Sequence, residues 1–379
     1  MKKLVIGMIA HVDAGKTTLS EALLYHAGTI RNMGRVDNRD SFLDFREAER
    51  EHGITIWMKQ AHFTYQNMSV TLLDTPGHVD FSAETERTLS VLDYAVLVIN
   101  GMDGVQSHTE TLWSLLSHYQ VPTIVFVNKM DQNGTDEQAL IRGLKDKLSD
   151  NIVNMTHPDY EDLSLLDDAL LTEYLTSGTI RESLFPDLIR ERRMFPCFFG
   201  SALKDKGITD FMDSLTNLTK MPDYPEEFGA KVFKITYDKD GTRLSHLKIT
   251  GGVLQAKQII ADDQKVDRIR ICSGDRFTVV SSVSAGDICA VTGLLGSRIG
   301  TAYGSAITNG ESILEPVLSY RLLPLNMDTV QVLPFIRILE DEDPTLHVVF
   351  EEENKKILGE IDSIEKGFVK INFFLEIFF

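Results

Sequence analysis

The chain has 379 residues, of which 43% are hydrophobic and 25% charged, the balance of an ordinary globular protein long enough for two or three domains. A formal net charge of −18 argues against bulk attraction to nucleic acid, because neutralising phosphates takes clustered Lys and Arg, and no sequence-specific DNA partner is expected; it leaves room for a local basic face on a large RNA–protein partner. Three widely spaced cysteines, Cys197, Cys272 and Cys289, have neither CxxC nor metal spacing and fit buried thiols in a reducing cytoplasm.

Lys2-Lys3 followed by "LVIGMIA" imitates the start of a signal peptide, but the run stops at His11 and Asp13 without a small-residue cleavage site, so it reads as a buried strand. No apolar stretch approaches the roughly 20 residues that span a bilayer. A cytoplasmic protein without membrane attachment is expected. "LVIGMIA", "VTLLD", "AVLVIN", "TIVFVNK" and "FPCFFGS" read as strands buried on both faces. Helical patterns lie between them, as from Lys16 to Ala27, with Leu19 and Leu23 one turn apart and Gly28 as the stop. This alternation predicts an α/β fold with a mostly parallel, doubly wound sheet, whose ligand site lies beyond the carboxyl ends of the strands. The acidic "DYEDLSLLDDALLTEY" reads as a solvated helical insert. From about Pro222 the texture changes. Two alternating runs flank Asp240-Gly241, a hairpin signal, and short Gly-punctuated strands continue to about Leu323, predicting a β-barrel. "LPFIRILEDEDPTLHVVFEEE" then reads as a helix and a strand, the opening of an α+β unit. The predicted domains are 1–222, 223–323 and a partial third at 324–379.

Four polar motifs fall where strands of the first domain end. "AHVDAGKT", between the first strand and the first helix, fits a P-loop except that Ala10 replaces the first glycine. His11, Val12, Asp13 and Ala14 form the turn, and Gly15 lets the backbone approach phosphate. Successive N–H groups there make an anion nest at a helix N-terminus. Lys16 offers charge to the outer phosphates, Thr17 a hydroxyl for Mg²⁺, and Thr18 closes the run. The second motif is "DTPGH": Asp74 ends a strand and can hold magnesium through water, Thr75 and Pro76 make the turn, Gly77 offers an N–H to a γ-phosphate, and His78 follows at once. In "NKMD", Asn128 can brace the P-loop, Lys129 can lie across a base, Met130 follows, and Asp131 can accept two hydrogen bonds from guanine that adenine cannot donate. "GSAL" then brings Ser201, Ala202 and Leu203, whose N–H groups suit a guanine carbonyl. An ATPase or kinase has no use for NKMD, and no GxGxxG precedes the first helix. "HVD" occurs twice, at His11 and His78, yet no third ligand stands at metal spacing.

With these motifs, and with "EREHGITI" and "LSVLDYAVLVINGMDGVQ", the chain from about Lys3 to about Glu353 resembles the translational GTPases of the elongation factor G superfamily, above all the tetracycline-resistance ribosomal protection proteins. The resemblance implies GTP and GDP as ligands, Mg²⁺ as cofactor and the ribosome as partner of full-length relatives. It implies that His78 positions the water attacking the γ-phosphate, that Val12 and Ile54 gate it, and that Thr55 joins Thr17 and Asp74 at the metal. Two alternatives stand beside that function: a translocation factor like elongation factor G, and a GTP-binding module without ribosomal activity. His52 stands where the family has arginine, and "LGEIDSIEKGFVKINFFLEIFF" follows the family's third domain poorly. An apolar end through Phe373, Phe374, Leu375, Ile377, Phe378 and Phe379 leads us to expect a truncated or frameshifted chain rather than a membrane-surface tail.

Overall fold

The computed structural model describes residues 1–34, 42–43, 58–78, 82–238, 240–261, 263–274, 276–307, 318–322, 328–351 and 356–361. Two compact units emerge. The first comprises Met1–Val79, Thr88–Asp223 and Cys272–Arg276; the second comprises Asp80–Arg87, Tyr224–Ile271 and Phe277–Phe379.

The first unit is built on strands β1 (Lys2–Ala10), β2 (Lys59–Tyr65), β3 (Met68–Asp74), β4 (Tyr94–Asn100), β5 (Thr123–Asn128), β6 (Ile152–Asn154) and β7 (Phe195–Phe199). They form one sheet in the order β2-β3-β1-β4-β5-β7-β6. Only the β2–β3 pairing is antiparallel; β1 pairs parallel with β3 and β4, β4 with β5, and β7 with β5 and β6. Continuous apolar runs suit strands covered on both faces, and every residue of β3, β5 and β7 is buried. The helices of the chain up to Asp223 are α1 (Lys16–His26), α2 (Ser82–Leu89, of which all but the last two residues fall in the second unit), α3 (Ser107–His118), α4 (Glu137–Lys147), α5 (Tyr160–Ser164), α6 (Asp168–Ser177), α7 (Phe185–Arg190) and α8 (Ile208–Leu218). Helix α1 ends where Gly28 takes a positive φ of 70°. The acidic stretch forms α5 and α6, each N-capped by an aspartate, Asp159 and Asp167, with Leu163 and Leu170 turned into the core. That core also joins Met8 and Leu23 to Phe126 and Phe211.

In the second unit, β8 (Gly229–Tyr237) and β9 (Arg243–Gly251) make the hairpin expected around Asp240-Gly241. The Asp238 carboxylate closes it by accepting the N–H groups of Asp240 at 3.1 Å and Thr242 at 2.9 Å, and Gly241 supplies a φ of 73°. With β10 (Arg268–Ser273), β11 (Arg276–Val280), β12 (Ile288–Thr292) and β13 (Ala302–Gly304), these strands form a sheet in the order β11-β10-β12-β9-β8-β13 among the described residues. Its inner face packs Val232, Leu247, Ile269 and Val291. A last group joins β14 (Leu318–Leu322), helix α9 (Thr329–Glu342), β15 (Val349–Glu351) and β16 (Lys356–Ile361). Its strands run in the order β14-β16-β15, and Asp328 with Gln331 forms a capping box at the start of α9. Among the described residues, no helix is long and apolar enough to cross a membrane.

Candidate nucleotide site

The site assembles at the carboxyl ends of β1, β3, β5 and β7. Strand β1 ends at Ala10, and the turn to α1 passes through Asp13 at φ 60° and Gly15 at φ 83°. Only glycine fits at 15, since a Cβ there would lie 2.4 Å from the Asn128 Nδ2. Val12 is partly exposed, Ala14 buried, and Thr18 half-buried.

Beyond Gly15, the Lys16 ammonium donates to Asp74 Oδ1 at 2.5 Å, and the Thr17 hydroxyl to Asp74 Oδ2 at 3.3 Å. Lys16 is 7% exposed and Asp74 fully buried, so this pair works away from solvent screening. Thr75 anchors the following turn to β1, its hydroxyl donating to the Met8 carbonyl at 2.8 Å. Pro76 is buried, and a Cβ on Gly77 would stand 3.2 Å from the Ala10 carbonyl, so the DTPG turn lies against the start of the P-loop. His78 follows, half-buried.

On the other side, Asn128 ends β5 and joins three loops. Its Nδ2 donates to the carbonyls of Ala14 at 3.0 Å and Gly15 at 3.4 Å, while its Oδ1 accepts from the Ala202 N–H at 2.9 Å. Lys129 takes a left-handed φ of 64°, and the Met130 N–H donates to the Gly200 carbonyl at 3.0 Å. The Ser201 hydroxyl donates to Asp131 Oδ1 at 2.6 Å and holds that exposed carboxyl below its ordinary value, so it is ionised at neutral pH. Leu203, by contrast, is 45% exposed and turned to solvent. Ile54 and Thr55 lie outside the described residues, as does His52.

Thr17 and Asp74 offer a hydroxyl and a carboxylate, hard oxygen donors of the kind magnesium takes, within hydrogen-bond reach of each other. Among the described residues, no group of three or more His, Cys, Asp or Glu is arranged to hold a metal ion.

Two buried residues near the site carry no motif. His108, in the first turn of α3, packs edge-on to His11 with ring centroids 5.6 Å apart. Burial, reinforced by His11 and His78, lowers its pKa to about 4, so it is neutral at physiological pH. Leu112 and Leu115, four and seven positions on, are buried with it, and that helical spacing was the available signal. The second is Glu21, fully buried on α1 among apolar neighbours.

A family model described as the elongation factor Tu GTP binding domain matches residues 1–221, and one described as elongation factor G domain 2 matches residues 227–302. The chain belongs to the translational GTPases. Among curated relatives, this translational GTPase is 34% identical over 374 residues to the tetracycline resistance protein TetM from transposon Tn1545 of Enterococcus faecalis, covering 93% of this chain and 55% of that one. It is 31% identical over 397 residues to the tetracycline resistance protein TetP of Clostridium perfringens, covering 94% of this chain and 60% of that one. The chain thus spans little more than half the length of these relatives. A crystal structure of a Thermus thermophilus protein shares the fold, with a TM-score of 0.87 at 21% identity over 100% of this chain and 66% of that one.

Proposed function

We propose that this chain binds GTP with magnesium between its phosphate and base loops, hydrolyses it to GDP and phosphate on contact with the ribosome, and belongs to the tetracycline-protecting branch of the family. The observation that carries the nucleotide reading is the Asn128 side chain, which bonds the P-loop carbonyls and the Ala202 N–H at once. A ligand whose phosphates lie on one loop and whose base lies on the other needs that fixed spacing. Likeness to TetM and TetP supports the ribosomal assignment.

In this reading the N–H groups of Ala14 through Thr18 cradle the phosphates, and Lys16 places its charge against the outer ones. Thr17, Asp74 and Thr55 hold magnesium, which neutralises charge on the phosphate oxygens when bound. His78 orients the attacking water, with Val12 and Ile54 as its apolar gate. Asp131 accepts from the two guanine donors, Lys129 lies across the base, and the Ser201–Leu203 backbone meets the guanine carbonyl. Hydrolysis then depends on alignment of the water and on charge stabilisation, with no covalent intermediate on the protein. The three-domain division at residues 222 and 323 is part of the same proposal.

The decisive experiment is Asp131→Asn, with nucleotide affinity measured by calorimetry. Exchanging the acceptor for an amide should turn preference from guanine to xanthine nucleotides by roughly 10³-fold or more, since an unpaired polar group in a base site is costly. Retained guanine selectivity would sink the base-side assignment.

A further inference from the structure

The sequence repeats "HVD" at His11 and His78, and the fold brings the two repeats together. A Cβ on Gly77 would stand 3.5 Å from the Val12 nitrogen and 3.6 Å from the His11 carbonyl carbon, so His78 begins beside His11. A third imidazole arrives from the first turn of α3. The His108 ring meets the His11 ring edge-on, at an interplanar angle of 62° and with centroids 5.6 Å apart. Among the described residues, His11 and His78 are the titratable groups whose charge reaches His108. This cluster holds an unexplained atom. Nδ1 of His11 is buried and has no hydrogen-bond partner among the described residues. A ring nitrogen withdrawn from water and left unbonded is destabilising, so it calls for a partner that arrives in another state of the molecule. His108 is 8% exposed, with Leu112, Leu115 and Leu116 of its helix buried beside it in sequence, and its edge contact with His11 is the kind that fixes one ring against another.

We propose that His11 is a positioning residue for hydrolysis: its Nδ1 accepts the ring N–H of His78 and leaves the other His78 nitrogen to the attacking water, while His108 holds the His11 ring in place. This deepens the function proposed above, in which His78 orients that water, and it rests on that reading. An imidazole presents a chosen nitrogen to water only when a partner fixes the other one, which sets both the tautomer and the direction of the ring. Nδ1 is the ring nitrogen nearer the main chain, and it is the main chain of His11 against which the Gly77 turn lies. The holding ring must be uncharged, because a cation beside His11 would oppose any positive charge that His78 takes up. Burial keeps it so: desolvation first, then His11 and His78, lower the pKa of His108 to about 4. His108 touches no reacting atom and acts through the other two rings.

The test pairs single-turnover GTP hydrolysis by the full chain with ribosomes against calorimetric affinity for a non-hydrolysable GTP analogue. His11→Phe keeps a ring and deletes the acceptor; it should slow hydrolysis by about 10- to 100-fold and change affinity by less than about twofold. His11→Asn puts a side-chain oxygen close to where Nδ1 stands and should restore hydrolysis to within about threefold of the unaltered chain. His108→Ala removes the holding ring and should cost about three- to tenfold in hydrolysis alone, whereas His108→Phe, which still offers a ring edge, should cost less than about twofold. Affinity and hydrolysis falling together, or asparagine at 11 proving no better than phenylalanine, overturns the proposal. If melting curves show that His11→Phe does not fold, the two His108 variants decide, and equal hydrolysis in both overturns it. If ribosomes do not stimulate the unaltered chain, the ribosomal reading falls and takes this inference with it; if they do and the variants match the unaltered chain, only the role of His11 falls.

Discussion

The phosphate side and the base side of the site are built from the same kind of strand-end loop, yet they differ in exposure. Lys16 and Asp74 meet in the interior, and Gly15 is pressed against Asn128 so closely that no side chain fits. Asp131, by contrast, is exposed and held by the Ser201 hydroxyl. The difference follows the chemistry each side is proposed to do. Charge stabilisation is strongest where water is excluded, whereas reading a base needs a correctly placed acceptor that a ligand can reach. Asn128 belongs to both sides and transmits the geometry of one to the other.

The largest effect expected on the phosphate side is that of His78→Ala. Ribosome-stimulated hydrolysis should fall by about 10²- to 10⁴-fold, the usual worth of a positioned proton-handling group, with GTP affinity unchanged within about twofold. Single-turnover assays with ribosomes measure the first and calorimetry the second; undiminished hydrolysis removes His78 from the mechanism. Lys16→Ala against Ser201→Ala tests the contrast in burial directly. Loss of the ammonium should weaken GTP binding by roughly 100-fold and, by leaving the Asp74 carboxylate buried without its partner, cost about 3 kcal/mol of stability in denaturant titrations. Ser201→Ala should cost only about 1 kcal/mol of nucleotide affinity, because the exposed Asp131 can turn to water. Comparable losses in the two variants would erase the distinction drawn between the sides.

The smallest effect concerns pH. The folded-state pKa of His108, about 4, lies below the ordinary imidazole value of 6.5, so the unfolded chain takes up the proton first. His108 therefore costs nothing above pH 6.5, and stability is lost as pH falls from there toward 4. Between pH 6.5 and 5, His108→Gln should reduce that loss by on the order of 1 kcal/mol, after allowing for solvent screening. Melting temperatures across this range measure it, and parallel pH curves for the two proteins would mean that His108 is not held neutral.

Much of the first unit was legible because its signals are local. Apolar runs predicted β1, β3, β4, β5 and β7, and Asp240-Gly241 predicted the β8–β9 hairpin. Strand β2, whose "KQAHFTY" mixes polar with apolar residues, and the three-residue β6 gave no such signal; each is an edge strand that depends on its one neighbour for pairing. His108 and Glu21 escaped the motif reading for a different reason. A histidine in a helix's first turn and a glutamate inside an apolar helix look like solvated residues until the surrounding elements close over them.

By itself the sequence determined the order of loops, the residue types at each strand end and the family, because glycine, lysine and carboxylate at those spacings suit few other chemistries. Tertiary structure decided what bonds to what: that Asn128 links two loops far from it along the chain, that Asp74 takes both Lys16 and Thr17, and that Glu21 grips Gly34 and Leu43. The physical reason is that hydrogen-bond partners distant in sequence are chosen by how strands and helices pack, and burial, which sets the strength of each contact, does not exist until they do.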